Sequence, residues 1–179
     1  MLILGLDAAT RTGFCLGRFG EKVRTGAVRL KQPDESVDVA WCNAGFFLRD
    51  MFVLERPDLI ALEAPMPPGA IKSGDAVMLQ WGVVAVITYM ANLYEIRIEY
   101  LNAQKVSRHF TGKSRWSKEE GGRAAKKAAA IQRARLLGYM EPDAKADDDI
   151  ADACACFDYA AAMWDRARPK EIRMFGEQA

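Results

Sequence analysis

Two segments that read as buried strands each end on an acid. LILGLD ends at Asp7 within GLDAAT, and LIALE ends at Glu63 within ALEAP. A carboxylate at the rim of a core is costly unless something pairs with it. A third group of acids stands in DDDIADA, where Asp149 and Asp152 are three apart and share one helix face. Asp148 is four from Asp152, so spacing alone lets it substitute for Asp149. If the two strands run parallel and adjacent, Asp7 and Glu63 emerge side by side at the carboxyl end of a sheet, where open α/β folds place their ligand sites. Converging carboxylates repel one another and demand a counter-ion. Oxygen donors without clustered His or Cys select Mg²⁺ or Mn²⁺. Such a set can hold two ions about 4 Å apart, one activating water and the other stabilising the leaving oxygen of a phosphodiester. Helix-dipole stabilisation accounts for Asp147, Asp148 and Asp149 in a first turn. It does not account for Asp152 or for the two strand-end acids.

The charge distribution points the same way. The net charge is only +1, but residues 102–135 carry ten Lys or Arg against two Glu, a net of +8 that leaves −7 for the remainder. From Glu141 onward there are ten acids and five bases. A basic segment followed by an acidic one predicts a polyanion-binding patch beside a cation-binding cluster. Trp116 in KSRWSK reads either as a stacking platform for an exposed base or as an ordinary loop anchor. The single histidine, His109, reads as a helix-face residue rather than a catalyst. Cys15, Cys42, Cys154 and Cys156 form no CxxC pair and read as buried free thiols.

The elements that must position these groups follow from periodicity. Residues 1–7 read as a buried strand, and residues 12–18 and 23–30 as a meander after it. Apolar residues from Val37 to Leu54 recur at helical spacing, and Arg56-Pro57-Asp58 ends that run before the strand Leu59–Glu63. The stretch from Ala64 to Asp75 has three prolines and two glycines and reads as a loop. Ala76 to Leu93 is apolar nearly all round, but Gln80, Thr88 and Asn92 make it too polar, and its length too short, for a good membrane span. A helix apolar on every side wants burial on every side, which either a homodimer through residues 76–93 or a sandwich inside one domain would supply. A strand at 95–101, a short helix capped by Asn102, a basic loop at 111–122, a basic helix at 123–137 and a last helix from Asp147 to about Arg168 complete the order. The pattern predicts one α/β domain over residues 1–179 with a mixed sheet. No secretory leader opens the chain, so a cytoplasmic protein without a membrane partner is expected.

LILGLDAATRTGF, PDLIALEAP, LNAQKVSRHFTGKS with GRAAKKAAA, and DDDIADACAC stand in this order along most of the chain. Together they resemble the RuvC-like Holliday junction resolvases of the ribonuclease H-like fold, including phage-type members. The resemblance implies a five-stranded sheet, its first three strands antiparallel, flanked by helices. It implies a homodimer and Mg²⁺-dependent endonucleolytic cleavage of branched DNA at a two-ion site. By position, the ligands would be Asp7, Glu63, Asp149 and Asp152, with Asp7 shared by both ions. Lys105 and Lys127 fall where the family keeps DNA-contacting or catalytic lysines. Lys113, Arg115 and Lys126 would join them on backbone phosphates. Met66 stands where an aromatic wedge is expected in the family, and the loop from Gly112 to Gly122 is longer than expected. A ribonuclease acting on RNA–DNA hybrids and a non-catalytic branched-DNA-binding module are the rival readings. An actin-like ATPase shares the opening strand but needs a second domain to close over its nucleotide.

Overall fold

The computed structural model describes residues 1–71 and 73–165. Eleven elements follow one another: β1 (Leu2–Asp7), β2 (Arg11–Arg18), β3 (Arg24–Arg29), α1 (Val37–Leu54), β4 (Leu59–Glu63), a single 3₁₀ turn (Pro68–Ala70), α2 (Gly74–Leu93), β5 (Arg97–Leu101), α3 (Ala103–Thr111), α4 (Gly122–Leu136) and α5 (Asp148–Trp164). The five strands form one sheet in the order β3-β2-β1-β4-β5. β1 pairs antiparallel with β2, β2 pairs antiparallel with β3, and β4 runs parallel to both β1 and β5. This is the mixed five-stranded sheet expected from the strand pattern. The last helix ends at Trp164, where the extended Asp165 is its C-cap, earlier than the expected end near Arg168, a residue that lies outside the described ones.

Strand alternation sends side chains into two separate cores. Leu2, Leu4, Leu6, Ile60 and Leu62 face α1 and α2, while Ile3, Leu59, Ala61 and Leu101 face the layer of α3, α4 and α5. A strand covered on both faces must be apolar at every position, which explains the unbroken runs of β1 and β4. Each fully buried Leu or Ile in them contributes about 1.5–3 kcal/mol.

Two glycines set how closely α5 lies on the sheet. A Cβ at Gly5 would stand 2.7 Å from the Phe157 backbone nitrogen, and one at Gly13 would overlap the carbonyl of Asp149. α5 therefore rests directly on β1 and β2, with its acidic first turn over the start of β2. Caps fix the neighbouring helices. The Asn102 side chain accepts from the Gln104 and Lys105 amides, and Gly112 ends α3 in the left-handed region at φ 80°.

α2 departs from the expected start and length. It begins at Gly74, two residues early, and spans 20 residues; its most apolar 18-residue window has a mean hydropathy of 1.5, enough by length and composition alone to cross a membrane. The expectation that it falls short of that length is corrected here. One face of α2, carrying Val83, Val84, Ile87, Met90 and Ala91, is buried in the α1 core. The other face exposes Met78, Trp81, Tyr89 and Leu93, so the helix is not covered on every side. Cys42 also differs from expectation: it is exposed, whereas Cys15, Cys154 and Cys156 are buried free thiols.

Candidate active site at the carboxyl ends of β1 and β4

The parallel register of β1 and β4 places Leu6 opposite Leu62. The next residues, Asp7 and Glu63, therefore stand level at the carboxyl ends of adjacent strands. On its other side Asp7 lies opposite Gly13 of β2, where the Asp149 backbone makes its close approach. The first turn and a half of α5 then brings Asp149 and Asp152 over the same edge.

The electrostatics record this convergence. The Asp7 carboxyl is pushed up to about 8, first by burial and then by the charges of Asp152, Glu63 and Asp149, with Lys126 opposing. Burial also raises Glu63, with Lys126 pulling down and Asp152 pushing up. Burial raises Asp152 as well; Lys126 and Lys127 oppose it, while Asp148 and Asp149 add to it. Glu63, Asp152 and Lys126 line one small cavity with Ser107, Phe110 and Thr111 from α3. Lys126 is thus the cation that acts on three of the acids.

Around this centre the remaining acids are held by specific cations. The Arg11 guanidinium bonds both Asp147 and Asp149, with Nη1 donating to Asp147 Oδ1 at 2.8 Å. Arg11 holds the Asp147 carboxyl below the usual range. Asp147 in turn caps α5, accepting from the Ile150 amide at 3.3 Å. Lys127 of α4 bonds Asp148.

Among the described residues no group of three His, Cys, Asp or Glu side chains is already drawn together as a metal cage. Coordination needs oxygens converging within about 2–2.6 Å of one point. Mutual repulsion acts over longer distances, and it adds to burial, the larger cause, in raising all three carboxyls. Three partly buried carboxylates opposed chiefly by one lysine supply hard oxygen donors that fit a divalent cation, while the Cys156 thiol coupled to them is fully buried and pushed up, so it stays protonated.

The other expected site residues are distributed as follows. Lys105 is exposed on α3, and none of the carboxylate shifts traces to it. Lys113 sits 5.2 Å from the Trp116 ring centre and bonds Glu120, which folds the basic loop on itself. Trp116 is half-buried and Arg115 exposed. Met66 is exposed, and its carbonyl accepts from Trp81 Nε1 at 3.2 Å, tying the loop after β4 to α2. His109 Nε2 bonds the buried Asp158 carboxylate at 2.8 Å, in keeping with a structural role. Sequence reasoning missed Arg11 and gave Lys126 only a phosphate-binding role. The available signal for Arg11 was a cation four residues after Asp7, beside the glycine that admits α5.

No family model matches this chain, and no curated protein matches it. Solved structures do. Thermus thermophilus RuvC aligns with TM-score 0.64 at 15% identity, covering 91% of this chain and 96% of that one. T. thermophilus RuvC in complex with a Holliday junction substrate aligns with TM-score 0.67 at 13% identity, covering 92% and 97%. The yeast mitochondrial Holliday junction resolvase Ydc2 aligns with TM-score 0.58 at 11% identity, covering 86% and 75%. The chain therefore has the ribonuclease H-like fold of these resolvase structures, as the sequence resemblance implied.

Proposed function

We propose that this protein is a divalent-metal-dependent endonuclease that hydrolyses phosphodiester bonds in branched DNA such as Holliday junctions. The observation that carries the reading is the electrostatic coupling of Asp7 with Glu63, Asp149 and Asp152 at one sheet edge. The fold shared with a junction-bound resolvase supports it. Asp7, Glu63, Asp149 and Asp152 would hold Mg²⁺ or Mn²⁺, as two ions. Asp149 is preferred to Asp148 because it acts on both Asp7 and Asp152, whereas Asp148 acts on Asp152 but is not among the charges that raise Asp7. Bound there, the ions supply a water of lowered pKa and a Lewis acid for the phosphoryl oxygens.

The chain's own residues do the rest. Lys126 offsets the carboxylate charge and keeps Glu63 and Asp152 closer to ionisation. Lys105, Lys113, Arg115 and Lys127 lie in the +8 segment and neutralise the DNA backbone, which makes binding steeply salt-dependent. Trp116 and Met66 would supply apolar contacts to unstacked bases. A homodimer through α2 is part of the proposal: the exposed Met78, Trp81, Tyr89 and Leu93 give it an apolar face.

The test incubates the protein with synthetic four-way junctions, three-way forks, RNA–DNA hybrids and plain duplex, in Mg²⁺ or EDTA. Mg²⁺-dependent cutting confined to branched DNA, and absent in D7N, is expected. Cutting of hybrids instead assigns a ribonuclease. Junction binding with no cutting in Mg²⁺ or Mn²⁺ assigns a non-catalytic module.

A further inference from the structure

Arg11 opens β2, four residues after Asp7. Its guanidinium reaches across to the first turn of α5 and bonds two acids that are two residues apart. Nη1 donates to Asp147 Oδ1 at 2.8 Å and also to Asp149 Oδ2, while Nη2 donates to Asp147 Oδ2. A planar fork of this kind fixes direction as well as charge. All three side chains are partly shielded, with Arg11 at 36%, Asp147 at 18% and Asp149 at 27% exposure. The contact lies beside Gly13, where the absence of a side chain lets the Asp149 carbonyl meet the strand. Backbone approach and side-chain fork therefore fasten the same turn of α5 to the same end of β2. Asp147 is the N-cap of α5, so the fork grips the helix at its origin and Asp149 by one carboxylate oxygen.

We infer that Arg11 is a positioning residue, holding Asp149 through one oxygen so that its carboxylate is aimed at the Asp7 edge for cation binding. The inference rests on the proposed nuclease site. An outer partner that orients a ligand typically sets 10–100-fold in metal affinity. The role differs from that of Lys126, which acts on Asp7, Glu63 and Asp152 through charge, with no bond to any of them among the described contacts.

The test measures Mn²⁺ affinity of the full chain by titration calorimetry, using wild type, R11Q, R11K and D149N, with circular dichroism to confirm folding. R11Q should weaken Mn²⁺ binding about 10–100-fold. R11K should lose less, since an ammonium can hold one carboxylate but cannot fork across two. Junction cleavage by R11Q should need more Mn²⁺ yet approach the wild-type rate at saturation, a split that a merely structural defect would not give. If R11Q does not fold, the comparison of R11K with wild type decides, and unchanged affinity in R11K overturns the inference. Wild-type affinity in R11Q alongside weakened binding in D149N overturns the Arg11 role alone. Wild-type affinity in both R11Q and D149N overturns the ligand assignment, and the Arg11 role falls with it.

Discussion

Replacing Asp7 by Asn should make the metal-free protein more stable, and the gain should depend on pH in a defined way. In the unfolded chain Asp7 titrates near 3.8, and in the folded protein its carboxyl is pushed up to about 8 by burial and by Asp152, Glu63 and Asp149. Between those values the folded state keeps a proton that the unfolded state has released. Stability from this group is therefore fully present below about pH 4, falls as pH rises towards 8, and levels off above it. A gap of about four units at 1.36 kcal/mol each is about 5 kcal/mol, and relaxation with water entry at a rim site brings the expected effect to roughly 2–5 kcal/mol. Asn cannot ionise, so D7N should match wild type near pH 4 and exceed it by that amount at pH 8.5. For a chain of this length the difference corresponds to roughly 5–15 °C in Tm. The assay is thermal and urea unfolding of both proteins in EDTA at pH 4, 6, 7 and 8.5. Millimolar Mg²⁺ should close the gap by raising the wild-type Tm at pH 8.5, through preferential binding to the folded state. A D7N protein no more stable than wild type at pH 8.5, or a difference that does not change with pH, would refute the crowded-carboxylate reasoning.

Three further outcomes are expected. G13A should lose roughly 1–3 kcal/mol and most Mn²⁺ binding, because its Cβ would overlap the Asp149 carbonyl and lift α5; G69A, which opens into empty space, should melt as wild type does. Unchanged melting of G13A would show that α5 is free to shift. K126A should move the acidic limb of the cleavage pH profile upward, since Lys126 pulls down Asp7, Glu63 and Asp152. K105A should leave that limb in place and lower the slope of log affinity against log salt by about one. A limb that stays put in K126A sinks the counter-charge role.

The strand runs around Asp7 and Glu63, the helical periodicity of Val37–Leu54 and the Asn102 cap are local patterns, and each is present in the folded chain. Element ends were less legible. Gly74 and Asp75 start α2, although a run of Pro and Gly precedes them, because Ser73 already leaves the loop as an extended cap residue. The apolar character of α2 suggested burial all round; the structure buries one face only, since the α1 core reaches no further.

What the sequence determined by itself was the set of acids and the strands that carry two of them, because alternation, run length and helical spacing are properties of neighbouring residues. Which cation answers which acid was decided only by tertiary structure. Arg11 meets Asp149 across 138 residues of chain, and Lys127 meets Asp148 across 21. Those partnerships depend on how closely α5 can lie on β1 and β2, and that distance is set where the missing side chains of Gly5 and Gly13 let two backbones touch.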